Sequence, residues 1–297
     1  MHLNSCKCEV LSRLDKTRLE RSARTHLQIL AALVGLLGFP LSVPAASDPR
    51  YGDENLPETV QAQLRALLPQ RPGIIDNYAL IIGGDASDEV FRKETIAVRR
   101  ALDGILGTQG RSVVLLNHRS LPAPEVTFNS LGQVLQAIGR QMNRDEDVVW
   151  LHLASHGGVD HKLVLSYPGR DLYWLTPTHL RRMLDEAHIR YRVIVVSACY
   201  SGGFVPALAG PETLVATASA ASRQAYGCGK VSDITEFSKA LYLKALRQTR
   251  SVLEAMHLAQ QIIHEEERAR HAAHSYPQVR SGAAIEARLR DVSIVRR

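Results

Sequence analysis

Two short segments carry residues that could do covalent chemistry. Ser155-His156-Gly157-Gly158 is entered directly from the apolar run Asp147-Val-Val-Trp-Leu-His-Leu-Ala154. Ser197-Ala198-Cys199-Tyr200-Ser201-Gly202-Gly203 is entered in the same way from Arg192-Val-Ile-Val-Val196. A thiol attacks as its thiolate, and a nearby imidazole can take its proton or lower its pKa. The glycines let backbone N–H groups come close to a reacting oxygen. These are the parts of a cysteine nucleophile with a histidine partner and a backbone oxyanion hole, although His and Cys also occur as satisfied core groups.

Other reactive side chains form weaker patterns. His152 and His156 are spaced H-x3-H, which on a strand separates them by about 13 Å, so shared metal ligation fails and His152 reads as a core histidine. His257, His264 and His271 recur every seven residues, about 10 Å apart on a helix, and His274 follows a turn later. His271 and His274 could share an ion, but no neighbouring pattern completes a site, and a solvated helix face is expected. His264-Glu-Glu-Glu-Arg268 lacks the second histidine of H-E-x-x-H. Cys6 and Cys8 have no second pair for zinc. Cys228 has only Cys199 as a partner beyond residue 46, and joining them would silence the nucleophile, so a buried thiol is expected. No metal or organic cofactor is expected. A serine hydrolase is disfavoured because there is no G-x-S-x-G.

The segments that must position His156 and Cys199 alternate between two periods. Short β-rich runs at 78–82, 112–116, 147–154, 192–196 and 213–218 are separated by helical patterns at 94–106, 131–142, 177–187, 236–248 and 252–273. Continuous apolar strands between helices predict a mostly parallel sheet covered on both faces, an α/β three-layer sandwich. In such sheets, sites form at the carboxyl ends of strands, where both segments lie. The first strand ends in Gly83-Gly84-Asp85, without the G-x-G-x-x-G of dinucleotide binding; the glycines are expected to permit a tight turn. Residues 47–76, with four prolines and a helical stretch at 58–68, read as a lead-in. The expected domain runs over 77–285, with a basic tail over 286–297.

The chain has 297 residues, 45% hydrophobic and 22% charged, an ordinary globular composition. Of the net charge of +6, half belongs to residues 1–46, which hold six Lys and Arg against three Asp and Glu. The rest is too weakly basic for a nucleic-acid footprint, and with 5% aromatics it lacks stacking platforms. The basic segment precedes the apolar run 27–39 and then small residues around Ala45. These are the parts of a secretory signal or an uncleaved membrane anchor over 1–46, so an extracytoplasmic location is expected. The run is too short for a comfortable span even when extended to Val43.

The catalytic segments also resemble a known family. VVWLHLASHGG, LTPTHLRRMLDEA, RVIVVSACYSGGF, TLVATASAASRQAYGCG and SDITEFSKAL are similar to exported bacterial members of the legumain (hemoglobinase) family, in the caspase-like clan. The similarity extends over about residues 77–280. It implies a caspase-like fold with Cys199 as nucleophile and His156 as general base and acid. It also implies an oxyanion hole from the N–H groups of Gly157 and Cys199, a peptide or protein substrate, and Arg92, Ser197 and Asp233 at the substrate pocket. The chain departs from legumain proper at Ser197 and Tyr200, where that family has acidic residues, and at Ala225, where it has a pocket serine. Arg92 suits an acidic or amide side chain and Asp233 a basic one; together they could bracket an amide. The expected function is therefore an exported cysteine endopeptidase. A transamidase on the same dyad and a non-catalytic peptide-binding protein are the alternatives.

Overall fold

A computed structural model describes residues 55–170, 173–226 and 233–294. The segment read as signal or anchor, with Cys6 and Cys8, lies outside them, as does Cys228. No described helix is long and apolar enough to cross a membrane.

Five strands run parallel: β1 (Asn77–Gly83), β2 (Ser112–Leu116), β3 (Val148–Ala154), β6 (Tyr191–Ser197) and β7 (Thr213–Thr217). With antiparallel β8 (Gln278–Ser281) they form one sheet in the order β2-β1-β3-β6-β7-β8. A hairpin of β4 (Leu163–Leu165) and β5 (Tyr173–Leu175) stands apart from it. Every residue of β1, β3 and β6 is buried, as both-face coverage requires.

The pleat sorts the core into two layers. Tyr78, Leu80 and Ile82 pack with α1 (Glu58–Arg65), α3 (Phe128–Gln141), α4 (Pro177–Glu186) and α5 (Val205–Leu208). Ala79 and Ile81 pack on the other face with α2 (Glu89–Ile105) and α8 (Val252–Ala269). That face also holds α6 (Glu236–Ser238), which continues through a π-helical stretch, Lys239–Ala245, into α7 (Leu246–Gln248).

Several elements escape hydrophobic patterning. β8 is only partly buried and reads Gln-Val-Arg-Ser, with a single apolar residue. α9 (Ala283–Arg290) crosses the expected start of the basic tail, and Ile285, Leu289 and Val292 pack into the core. The lead-in is attached too: Val60 is fully buried. The Gln63 amide covers the open edge of β2, donating to Val114 O at 2.9 Å and accepting from Val114 N–H at 2.8 Å. α2 begins five residues before the start expected from its apolar spacing, with Asp88 as its N-cap.

Candidate active site

Strand register brings the two catalytic segments together. β3 and β6 are adjacent and parallel, with Ala154 opposite Ser197. His156 and Cys199 each follow that pair by two residues, so they leave neighbouring strands, about 4.8 Å apart, at the same height. Gly157 lies against the nucleophile segment so closely that a Cβ there would sit 2.0 Å from Cys199 O. Only glycine permits that approach. The bridge beside it uses Gly158 N–H on Lys162 O and Val164 N–H on His156 O, both at 2.9 Å.

The first turn of α2 grips the imidazole. Asp88 makes no side-chain capping bond; its Oδ2 instead lies 2.8 Å from His156 Nε2. Phe91 meets the ring edge-on, with centroids 5.1 Å apart and planes at 87°. With Nε2 directed at a carboxylate, the nitrogen left to exchange protons is Nδ1. Neither Asp88 nor Phe91 was expected at the site from sequence. The available signal was an acidic residue ahead of an amphipathic helix, which by itself predicts a cap.

Cys199 is buried, and Ala225 N–H donates to its Sγ at 3.4 Å, a contact that favours the thiolate. Tyr200 turns the chain sharply in the left-handed region, at φ +56°, and its N–H donates to Arg223 O at 2.7 Å. A non-glycine residue held there costs of order 1–3 kcal/mol, and such strain concentrates at functional turns. Gly202 packs on the same 219–226 loop: a Cβ would lie 2.4 Å from Ala221 N. At the end of β1, neither Gly83 nor Gly84 has positive φ, so the expected tight turn is not their reason. Gly84 instead allows close packing, since a Cβ would approach Val164 O to 2.8 Å.

The expected substrate residues occupy different environments. Arg92 pairs with Glu89 at 2.8 Å, and Glu89 also holds His118 at 2.6 Å. Those two bonds lower the Glu89 carboxyl to about 2. Asp233 is exposed and pairs with Lys93 at 2.7 Å, which lowers its pKa. Arg92 and Asp233 thus have separate ion-pair partners, Glu89 and Lys93. Ser197 is only 1% exposed and points inward, with its Oγ 2.7 Å from Thr235 Oγ1. That correction follows from strand parity: Ser197 shares the face of Val193 and Val195, under the helices.

Ser197 borders a closed polar network. Ser238 Oγ reaches Ser197 Oγ at 3.4 Å and Glu94 Oε1 at 2.7 Å. Glu94 also accepts from Thr235 N–H at 2.9 Å and lies 3.0 Å from His152 Nε2; His152 Nδ1 meets Tyr242 OH at 3.1 Å. Burial alone would raise the Glu94 carboxyl, but the bonds from His152, Ser238 and Thr235 prevail and hold it below its ordinary value. Tyr242 is pushed well above its usual pKa by burial.

A cleft of about 700 Å³ opens elsewhere, between Leu56 and Pro57 on one side and Phe128, Tyr167 and Tyr173 on the other. Neither His156 nor Cys199 lines it.

Comparison with known proteins agrees with this geometry. The crystal structure of caspase-1 from Spodoptera frugiperda is similar over 73% of this chain and 93% of its own, at 16% identity and a TM-score of 0.50, which identifies a caspase-like fold. No curated protein matches the chain. The model of the peptidase C13 family matches residues 125–282, which include His156 and Cys199 but neither Asp88 nor Arg92. That match spans more than half the chain, which therefore belongs to the peptidase C13, or legumain, family of cysteine peptidases.

Proposed function

We propose that this protein is an exported endopeptidase that cleaves peptide bonds through a Cys199–His156 dyad and a thioester acyl-enzyme. The observation that carries the reading is the β3–β6 register, which delivers both residues to one sheet edge, with His156 Nε2 anchored on Asp88. The expectation of export comes from residues 1–46 and places the enzyme outside the cytoplasm.

In this reading His156 Nδ1 takes the Cys199 proton, and the thiolate attacks the peptide carbonyl carbon. The C–O π pair moves onto oxygen, and Gly157 and Cys199 N–H groups receive the oxyanion. Collapse breaks the C–N bond, and the leaving amine takes the proton back from His156. A water molecule, deprotonated by His156, then attacks the thioester; the acid departs and the thiol is restored. Asp88 steadies the imidazolium and keeps its ring oriented, as a positioning residue. The charges of Arg92 and Asp233 select the substrate, and Ser197 acts on the pocket through Thr235 and Ser238.

The test uses the full chain beside Cys199→Ala, on fluorogenic peptides carrying Asn, Asp, Arg, Lys or Ala before the cut. Cleavage by the parent alone is expected. Cleavage that survives in the variant overturns the dyad. Products carrying an added amine in place of water point to transamidation.

A further inference from the structure

The spacing of the late histidines pointed to a solvated face, but the structure brings two of them to a buried carboxylate. His264 and Glu267 are three residues apart on α8 and so share a side of the helix. The helix ends at Ala269, and His271, at φ +52°, helps reverse the chain. The returning chain, ahead of β8, lays His274 over His264, with ring centroids 5.1 Å apart and planes at 27°. One ligand atom from each of His264, Glu267 and His274 lies within 4.8 Å of the others. His274 Nδ1 and Glu267 Oε2 are already 3.1 Å apart, close to the roughly 3.3 Å between ligands of a tetrahedral zinc ion.

We propose that His264, Glu267 and His274 form a zinc-binding site. Two imidazoles and one carboxylate select a transition ion over calcium or magnesium, which prefer all-oxygen shells. Three protein ligands leave a fourth position for water. Glu267 is built for this role: it is 1% exposed, and its Oε1 is fixed by Ser275 N–H at 2.8 Å and by Ser275 Oγ. That outer bond orients Oε2 toward the ion. His264 is exposed and His274 half-buried, so an ion has a way in.

The site is tied to the loop facing the nucleophile. Ser275 O accepts from Ala220 N–H at 2.8 Å, and Arg223 lies 5.6 Å from the Tyr276 ring centroid. The same loop supplies Arg223 O to Tyr200 and Ala225 N–H to Cys199. Zinc on the three ligands therefore braces residues 220–225 from behind. The inference does not depend on the proposed peptide cleavage.

The experiment titrates zinc against a chromophoric chelator on the full chain carrying Cys199→Ala, which removes the catalytic thiol as a competing ligand. His264→Ala in that background is expected to weaken one zinc equivalent by at least about 10-fold. His264→Ala with His274→Ala is expected to lose it. Because His264 is exposed, the single variant remains a fair test if the double variant fails to fold. Equal zinc stoichiometry and affinity in His264→Ala overturn the site. Bracing is read separately: zinc should slow amide exchange at Ala220 in the Cys199→Ala parent and leave it unchanged in the double variant. Exchange at Ala220 that is indifferent to zinc overturns the brace.

Discussion

His152 and His156 stand four residues apart, the first within β3 and the second just past its end, and both find a carboxylate on the first two turns of α2. His152 meets Glu94, and His156 meets Asp88 at the helix cap. Both nitrogens of His152 are occupied and the ring is 1% exposed, in a network closed by Tyr242 and Ser238. His156 has one nitrogen on Asp88, and its side chain is 16% exposed at the mouth of the sheet. The comparison shows that a histidine–carboxylate pair is not in itself a catalytic device. What makes it one is a nitrogen that a substrate or a thiol can reach. The same pairing, sealed, fixes α2 and the π-helical stretch against the sheet.

Breaking each pair should give opposite results. His156→Ala is expected to reduce kcat/KM by about 10²–10⁴-fold while leaving the melting temperature nearly unchanged. Glu94→Ala should do the reverse. It leaves His152, Ser238 Oγ and Thr235 N–H without their buried acceptor, at about 1–3 kcal/mol each, so thermal unfolding should show a loss of 3 kcal/mol or more. A Glu94→Ala protein as stable as its parent would mean that the network is not structural.

Smaller changes sharpen the contrast. Asp88→Asn retains the shape but removes the charge that steadies the imidazolium. A fall in kcat of roughly 10- to 100-fold with little change in KM is expected, below the full acid–base contribution. A rise in KM alone would mean that Asp88 binds substrate instead. Acid should act on the sealed pair: the folded Glu94 carboxyl lies below its unfolded value near 4.5, so its stabilisation is complete above that pH and is lost as pH falls through the folded value. Denaturant titrations at several pH values should find a shallower loss below 4.5 in Glu94→Gln than in the parent. Ser197→Ala should cost only about 1–2 kcal/mol, since it removes the hydroxyl's bond to Thr235 and its longer contact with Ser238.

The readable parts of the sequence share one physical property. β1, β3, β6 and β7 are buried along their whole length, so their apolar runs stand out, and expected and observed ends differ by at most one residue. β8 and the β4–β5 hairpin are short, and β8 and β5 are partly exposed, so burial wrote little into their residue types. The proposed catalytic pair was legible because each residue lies two positions beyond a strong strand, with glycines close behind at 157–158 and 202–203. Asp88 was hidden because the apolar spacing of α2 becomes clear only after its first turn.

The sequence by itself determined the layered α/β fold, the placing of His156 and Cys199 beyond two strong strands, and the glycine at 157 that lets one segment touch the other. These depend on local periodicity and on residue types that few other roles require. Tertiary structure alone decided which carboxylate serves which histidine, that Ser197 faces inward, and that His264, Glu267 and His274 meet. Those choices depend on strand register and on where α8 stops and the chain turns back. Contacts between residues distant in sequence are set by the packing of whole elements, and a single position in the chain carries no trace of them.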